Sequence, residues 1–232
     1  MRSKSRRKCF EKLWRPKSAT LHLFLNNVHL FSRRHLPVVF TAPAALAVTS
    51  RVIGLPAFSQ ARAIGCYLSM PAGEIDTFSL AREILRSGKT LFVPKIDKSS
   101  DRRMELLRIY DEADLESLPS GVWGIREPEL LRDGQPRTSA SDVGLDMMLV
   151  PGVAFDRSFS RLGHGKGYYD TFIAAYVSTN RPPPLLAALA LREQFLHANA
   201  IPIDAHDWKM DWVITADETA VSTKLDNVRI QE

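Results

Sequence analysis

The stretch "LVPGVAFDRSFSRLGHGKGYYDTFIAAYV", residues 149–177, decides how the chain folds. An apolar run enters it and a run with helical periodicity leaves it. Between them lies RLGHGKGYYD, with Gly163, Gly165 and Gly167 at alternate positions among Arg161, His164 and Lys166. Glycine is costly in backbone entropy, so this density of it requires positive φ or close approach of the backbone to something. Strand, glycine loop and helix is how α/β proteins hold phosphate, because backbone N–H groups and the helix N-terminus point at the anion. The spacing excludes the common signatures. Lys166 is followed by glycine rather than Ser or Thr, unlike a Walker A loop. G-x-G-x-G differs from the G-x-G-x-x-G of dinucleotide sites, and a kinase glycine loop does not open a helix. Arg161 and Lys166 can neutralise an oligophosphate. Asp170, one turn into the helix, would repel that phosphate unless a cation intervened. It is therefore a candidate Mg²⁺ ligand as well as an ordinary helix N-terminal acid.

Outward from the loop, strand and helix patterns alternate. "LDMMLVPGVAF" (145–155) reads as one buried strand running into the loop, and "YYDTFIAAYV" as a helix with Tyr169, Phe172, Ile173 and Tyr176 on one face. Upstream, "ARAIGCYLSM" (61–70) reads as a buried strand. Phe78, Leu80, Ile84 and Leu85 then sit near helical spacing, with Asp76 or Thr77 as cap and Gly88 as stop. "TLFVPKI" (90–96) is a strand ended by Pro94, and "MELLRIYD" (104–111) a third strand. "LPSGVWGIREPELLRDGQP" is a connection too irregular for an element. Downstream, "RPPPLLAALAL" gives a turn and a strand, and "DWVIT" a last short strand. The alternation predicts an α/β fold with a largely parallel sheet. Before the last strand, "DAHDWKMDWVIT" places Asp204, Asp207 and Asp211. Any of them completes a metal site if the sheet brings this loop beside Asp170, and each is otherwise a solvated loop acid.

Composition bounds the function. The chain's 232 residues allow one large domain or two small ones, and 45% hydrophobic with 25% charged residues is ordinary for a globular protein. No apolar run reaches the roughly 18 residues of a membrane span. Cys9 and Cys66 are too few for a disulfide framework or a metal cluster. As reduced thiols, with Cys66 in the core, they fit an intracellular compartment. The net charge of +5 is unevenly spread: residues 1–50 hold ten Lys or Arg and one acid, Glu11, a net +9 that leaves −4 for the body. Basicity thus belongs to a leader, residues 1–47, ahead of a domain at 48–232. Neither nucleic acid nor membrane is an expected partner. The leader, basic and almost free of acid, resembles a mitochondrial transit peptide in composition; an irregular segment or a misplaced start is the alternative. Pro16, Pro37 and Pro43 interrupt its periodicity, while Leu21, Phe24, Leu25, Val28 and Phe31 fit an amphipathic helix. Little contribution to the core is expected before about residue 45. The expected compartment is the cytoplasm, with the mitochondrial matrix as alternative, and the expected state is a monomer.

In order along the chain, "YLSMPAGEIDT", "GKTLFVPKI", "LPSGVWGIREP", "LVPGVAFD" with RLGHGKGYYD, and "HDWKMDWVIT" resemble the 5-formyltetrahydrofolate cyclo-ligase (methenyltetrahydrofolate synthetase) family, over roughly residues 48 to 216. The resemblance implies a three-layer α/β/α domain. It also implies conversion of 5-formyltetrahydrofolate, with or without a polyglutamate tail, and ATP to 5,10-methenyltetrahydrofolate, ADP and phosphate, with Mg²⁺. By motif, Arg161, Leu162, Gly163, His164, Gly165, Lys166, Gly167, Tyr168 and Tyr169 would line ATP, with Lys166 and Arg161 on the transferred phosphoryl group. Asp170 and Asp207 would hold Mg²⁺. Leu68, Glu74 and Trp123, with His164 to Tyr168 on the loop's other side, would contact folate, Glu74 through paired hydrogen bonds to pterin nitrogens. In that reaction the nucleophiles belong to the substrates, so the protein has to supply positioning and charge neutralisation. No Ser-His-Asp or Cys-His set is needed. The family's N-terminal K-x-x-L-R helix, expected near residues 18 to 28, has no counterpart in "SATLHLFLNNV". Lys8 and Lys12 have i, i+4 spacing but lie about ten residues too early. A catalytically impaired folate- or nucleotide-binding relative is therefore the alternative function.

Overall fold

The computed structural model describes residues 38–71, 73–97, 103–121 and 124–223. Expectations for residues 1–37, among them the amphipathic segment, Lys8, Lys12 and the K-x-x-L-R region, lie outside the described residues, as does Trp123. The chain runs through α1 (Val38–Ile53), α2 (Pro56–Gln60), β1 (Ala63–Gly65), α3 (Phe78–Arg86), β2 (Thr90–Ile96), β3 (Met104–Ile109) and α4 (Glu112–Ser117). A hairpin of β4 (Leu131–Arg132) and β5 (Gln135–Pro136) follows, then α5 (Ala140–Val143), β6 (Met147–Val150), β7 (Ala154–Asp156), β8 (Arg161–Leu162) and α6 (Tyr168–Val177). The last elements are β9 (Leu185–Leu189), β10 (Phe195–Leu196), β11 (Trp212–Ile214) and β12 (Thr219–Val221).

Seven strands make one sheet in the order β12-β11-β9-β6-β1-β2-β3. The strands β2, β1, β6, β9 and β11 are parallel neighbours, and β3 and β12 close the two edges in antiparallel sense. Successive strand residues point to opposite faces, and the apolar residues divide accordingly. Ile64, Leu91, Val93, Met147, Leu149, Ala187, Leu189 and Ile214 pack on one face with Val48, Val52, Leu80 and Ile84 of α1 and α3. Ala63, Phe92, Met148, Val150, Leu186, Ala188 and Val213 pack on the other with Phe172, Ile173 and Tyr176 of α6. Strands apolar on both sides therefore give the three-layer α/β/α arrangement, with Cys66 fully buried in the first of these cores.

This order also fixes where a ligand can enter. From β1 the chain moves outward through β2 to β3, and from β6 it moves the opposite way through β9 and β11 to β12. The loops leaving the carboxyl ends of β1 and β6 thus part from each other, and open α/β sheets bind ligands in the crevice so formed.

Several local readings change. Pro94 does not end β2, which continues to Ile96 against β3. The amides of Thr90 and Phe92 face β1, through Thr90 N to Arg62 O and Cys66 N to Phe92 O, so the nitrogen of Pro94 points to the same side. There β1 has already ended, and no ladder bond is lost. Residues 145–155 are not one strand: β6 stops at Val150, and β7 joins a separate small sheet in the order β10-β7-β8. Gly152 makes the break, since a Cβ there would lie 2.6 Å from the Phe155 ring. The irregular connection contains the β4–β5 hairpin, turned at Asp133 and Gly134 with φ of 52° and 77°, which is a D-G hairpin signal. A further strand, β12, follows "DWVIT". Residue 47 falls inside α1, and Ala45, Val48 and Val52 are buried together. Packed structure therefore begins upstream of that boundary, with Pro43 within the helix.

Candidate active site

Each glycine of the loop has its own reason. Gly165 and Gly167 have φ of 80° and 67°, which other residues rarely adopt. At Gly163 a Cβ would lie 2.8 Å from the Arg161 guanidinium, the end of a flexible side chain, so glycine there leaves room for Arg161 and is not demanded by the backbone. Gly167 is also the left-handed N-cap of α6, and no side chain caps that helix. The first-turn amides of a helix have no intrahelical partner, so this end is suited to an anion. Lys166 is half-buried and, among the described residues, has neither an ion pair nor a hydrogen bond. His164 is exposed beside it, while Leu162, Tyr168 and Tyr169 are half-buried around the loop.

Asp170 already has one cationic partner, Arg161. Its Nη2 donates to Asp170 Oδ2 at 2.6 Å, with side chains 7% and 17% exposed, so the pair is largely withdrawn from water. The other oxygen, Asp170 Oδ1, accepts from the Trp208 amide at 3.1 Å. That bond docks the acidic loop beside Asp170, with Asp207 next in sequence and exposed. Asp207 Oδ2 accepts from the Asp204 amide at 2.7 Å, whereas Asp211 Oδ2 accepts from the Leu186 amide. Asp211 thus serves the sheet, and Asp204 and Asp207 form the loop next to the helix end. Among the described residues no three His, Cys, Asp or Glu side chains converge as a complete metal-ligand set. Asp170 and Asp207 can supply two hard oxygen donors, and Mg²⁺ typically takes one or two carboxylates, with phosphate and water completing its shell. The donor set therefore fits that ion in company with an oligophosphate.

Across the crevice, the segment after β1 is shaped by Thr77. Its hydroxyl donates to Tyr67 O at 2.6 Å and accepts from the Ser69 amide at 3.2 Å. It is then not free to cap α3; Asp76 Oδ1 instead accepts from the Phe78 amide at 3.0 Å. Gly88, with φ of 71°, ends that helix as the sequence requires. Leu68 is buried and Glu74 half-buried within this loop. Burial pushes the Glu74 carboxyl up to about 7, against the opposing effect of the Met70 amide that it accepts at 2.8 Å. Tyr67 and Tyr169 are pushed well above the usual phenol range, by burial first and then by the charge of Glu74. Glu74 is therefore electrostatically close to Tyr169, and the two loops flank one crevice.

Two residues of this site escape a reading by motif. Asp156 is fully buried; its Oδ1 accepts from the Ser158 and Ser160 amides at 2.9 and 3.0 Å, and its Oδ2 from Ile201 at 3.0 Å. It ties the β7–β8 turn to the segment that leads to Asp207. The spacing D-x-S-x-S in "FDRSFS" was the available signal, since such acids accept from amides two and more residues on. Gln194, in a 3₁₀ turn (Arg192–Gln194), donates through Nε2 to Gly73 O, Gly152 O and Val153 O at 3.1, 3.3 and 3.3 Å. No local pattern announces it. A cavity of about 390 Å³ lies apart from this crevice, against α4 and the β4–β5 hairpin, with Asp114, Arg132 and Arg137 in its wall. Its cations are already matched by acids.

A family model described as the 5-formyltetrahydrofolate cyclo-ligase family matches residues 31–216. The chain is similar to a probable 5-formyltetrahydrofolate cyclo-ligase of Schizosaccharomyces pombe, 34% identical over 180 residues covering 75% of this chain and 84% of that one. It is likewise 34% identical over 177 residues to the 5-formyltetrahydrofolate cyclo-ligase of Mus musculus, covering 76% and 84%. Among solved structures, the NMR structure of Aquifex aeolicus 5,10-methenyltetrahydrofolate synthetase superposes with a TM-score of 0.67 at 28% identity, over 88% of this chain and 93% of that one.

Proposed function

The chain belongs to the 5-formyltetrahydrofolate cyclo-ligase family, and on that premise we propose that it uses ATP, with Mg²⁺, to close 5-formyltetrahydrofolate to 5,10-methenyltetrahydrofolate, releasing ADP and phosphate. The observation that carries this reading is the facing of two loops across the β1/β6 switch point. One is a glycine loop ending in an uncapped helix, and the other holds a half-buried carboxylate. The first suits an oligophosphate, and the second suits a flat heterocycle with paired N–H donors.

In the proposed reaction the formyl oxygen attacks the γ-phosphorus and the bond to the β-phosphate oxygen breaks, giving ADP and an imidate phosphate. N10 then attacks the activated carbon, loses its proton, and the C–O bond breaks to release phosphate. Residues 161–169 cradle the phosphates, and Lys166 meets the charge that develops on the transferred group. Mg²⁺, when bound, neutralises charge on the phosphates, with Asp170 and Asp207 as its protein ligands. Arg161, held in place by Asp170, adds positive charge at the root of the loop that cradles the phosphates. Leu68 packs against the folate and Glu74 accepts from pterin N–H groups, with Trp123 and His164 to Tyr168 as further contacts. The packed domain acts as a monomer on 5-formyltetrahydrofolate, with or without a polyglutamate tail. Among the described residues no helix is long and apolar enough to cross a membrane.

Incubation of the purified protein with 5-formyltetrahydrofolate, ATP and Mg²⁺, following methenyl absorbance, tests this reading. Product formation is expected. Binding of folate and ATP without turnover would select the catalytically impaired relative, and absence of both would remove the reading.

A further inference from the structure

Gln194 stands where the two halves of the crevice meet. Its Oε1 accepts from the Leu191 amide at 2.8 Å, and its Nε2 faces three carbonyls. This fixes the orientation of the amide, since a flip would set oxygen against three oxygens. The partners lie on both sides of the switch point. Gly73 precedes Glu74 in the β1 loop, whereas Gly152 and Val153 form the turn after β6. The Val153 amide in turn donates to Leu162 O at 2.7 Å, at the root of the glycine loop.

We propose that Gln194 is a positioning residue that sets the spacing between the folate loop and the glycine loop and so couples binding at the two. The inference rests on the proposed function for the identity of the ligands, though not for the strap itself. A ligand that orders the Glu74 loop fixes Gly73. Through the Gln194 amide this holds Gly152 and Val153 in the position from which β8 presents the glycine loop. Coupling of this kind is reciprocal, so nucleotide and folate each strengthen the other's binding by one factor.

Two substitutions separate this role from simple folding. Gln194→Glu keeps the acceptor for the Leu191 amide and replaces the donor with oxygen, so the 3₁₀ turn is kept and the strap is lost. Gln194→Ala loses both. Calorimetric affinity for a Mg²⁺-bound non-hydrolysable ATP analogue is measured with and without saturating 5-formyltetrahydrofolate. Roughly fivefold or greater tightening is expected in the unaltered protein, and a ratio near one in Gln194→Glu. Amide hydrogen exchange without ligands is the second readout, with faster exchange expected across residues 73–76 and 152–153 in Gln194→Glu. A folded Gln194→Glu protein with unchanged exchange overturns the strap. Unchanged tightening in that variant, or no tightening in the unaltered protein, overturns the coupling. If the unaltered protein binds no folate at all, the functional reading has failed, and exchange alone decides whether Gln194 holds the loops.

Discussion

Among the described residues, two arginine–aspartate pairs are withdrawn from solvent, and they are built differently. Asp114 and Arg137 are 3% and 5% exposed and meet through two parallel bonds of 2.6 and 2.7 Å. Asp114 Oδ2 also accepts from the Tyr110 amide, and Arg137 Nη1 donates to Arg108 O. Asp170 and Arg161 meet through a single bond of 2.6 Å; the second Nη of Arg161 reaches Pro151 O only at 3.4 Å, and Asp170 Oδ1 has one amide. The first pair has its terminal nitrogens and both oxygens occupied by protein. The second has partners at these atoms too, but fewer of them and, at Pro151, a longer contact, and it lies beside an uncapped helix end. Bidentate pairing of a buried charge holds a fold in register, whereas partial pairing beside unfilled donors leaves capacity for a ligand. The difference between them separates the packed wall of the domain from its candidate site.

The largest effect should come from breaking the saturated pair. Asp114→Ala leaves Arg137 buried without its partner, which costs about 3–5 kcal/mol, so a large fall in melting temperature is expected with turnover per folded molecule unchanged. Burial alone would raise the Asp114 carboxyl, but Arg137 and the Tyr110 amide hold it below the ordinary carboxylate value. Its contribution to stability is therefore present above the unfolded value near 3.9 and is lost as pH falls through the lower folded value. A variant of normal stability would show that the pair is dispensable and end the contrast.

The next effect belongs to the crevice alone. Lys166→Ala should lower turnover by about 10²-fold or more, the scale of losing a preorganised transition-state donor, with little change in melting temperature. Lys166 makes no bond that the fold would miss among the described residues. Near-normal turnover by a folded Lys166→Ala protein would take the phosphoryl role from it.

How much of this contrast the sequence discloses depends on the range of each interaction. The glycine loop is legible because positive φ restricts residue choice locally, at Gly165 and Gly167. The parallel sheet is legible because strands with apolar residues on both faces read as continuous runs. Thr77 breaks the pattern because its hydroxyl is taken by Tyr67 rather than by its own helix. Pro94 misleads because a missing amide is harmless where the neighbouring strand has already ended. The bridging role of Gln194 is invisible because the carbonyls that its Nε2 reaches lie 121, 42 and 41 residues away. Contacts of that kind are created by topology, which single-residue preferences do not encode.

A smaller effect tests whether the unsaturated pair faces an ion. Asp170→Asn and Asp207→Asn should each raise the Mg²⁺ concentration needed for half-maximal turnover, by roughly tenfold, and the double variant should cost less than the two together because both act through one ion. Asp170→Asn should also lower stability by less than Asp114→Ala, since Arg161 keeps its contact with Pro151. Fully additive effects on the Mg²⁺ requirement would place the two acids in separate sites and return Asp170 to the class of Asp114.

The smallest effect is a change of slope with pH, and it concerns the other wall of the crevice. Glu74 is pushed up to about 7 by burial, so it is partly protonated at neutrality in the free protein. An ionised carboxylate accepts more strongly from N–H donors than a protonated one. The kcat/KM for 5-formyltetrahydrofolate, which reports groups of the free enzyme, should therefore rise several-fold through about pH 7, while the KM for ATP shows no matching change. Stability should move the opposite way. An unfolded glutamate loses its proton near 4.3, whereas folded Glu74 keeps it to about 7. The folded state thus binds more protons in that window, and unfolding free energy declines as pH climbs through it, then levels off. Gln194 and the glycine loop have no part in this titration, so Glu74→Gln should flatten both profiles without altering the response to Mg²⁺. If the inflection near pH 7 in kcat/KM survives in Glu74→Gln, the titrating group lies elsewhere, and exposed His164 on the opposite loop is the first to substitute. The carboxylate would then be a packing acid of the β1 loop, and recognition of the pterin would have to come from the glycine-loop side of the crevice.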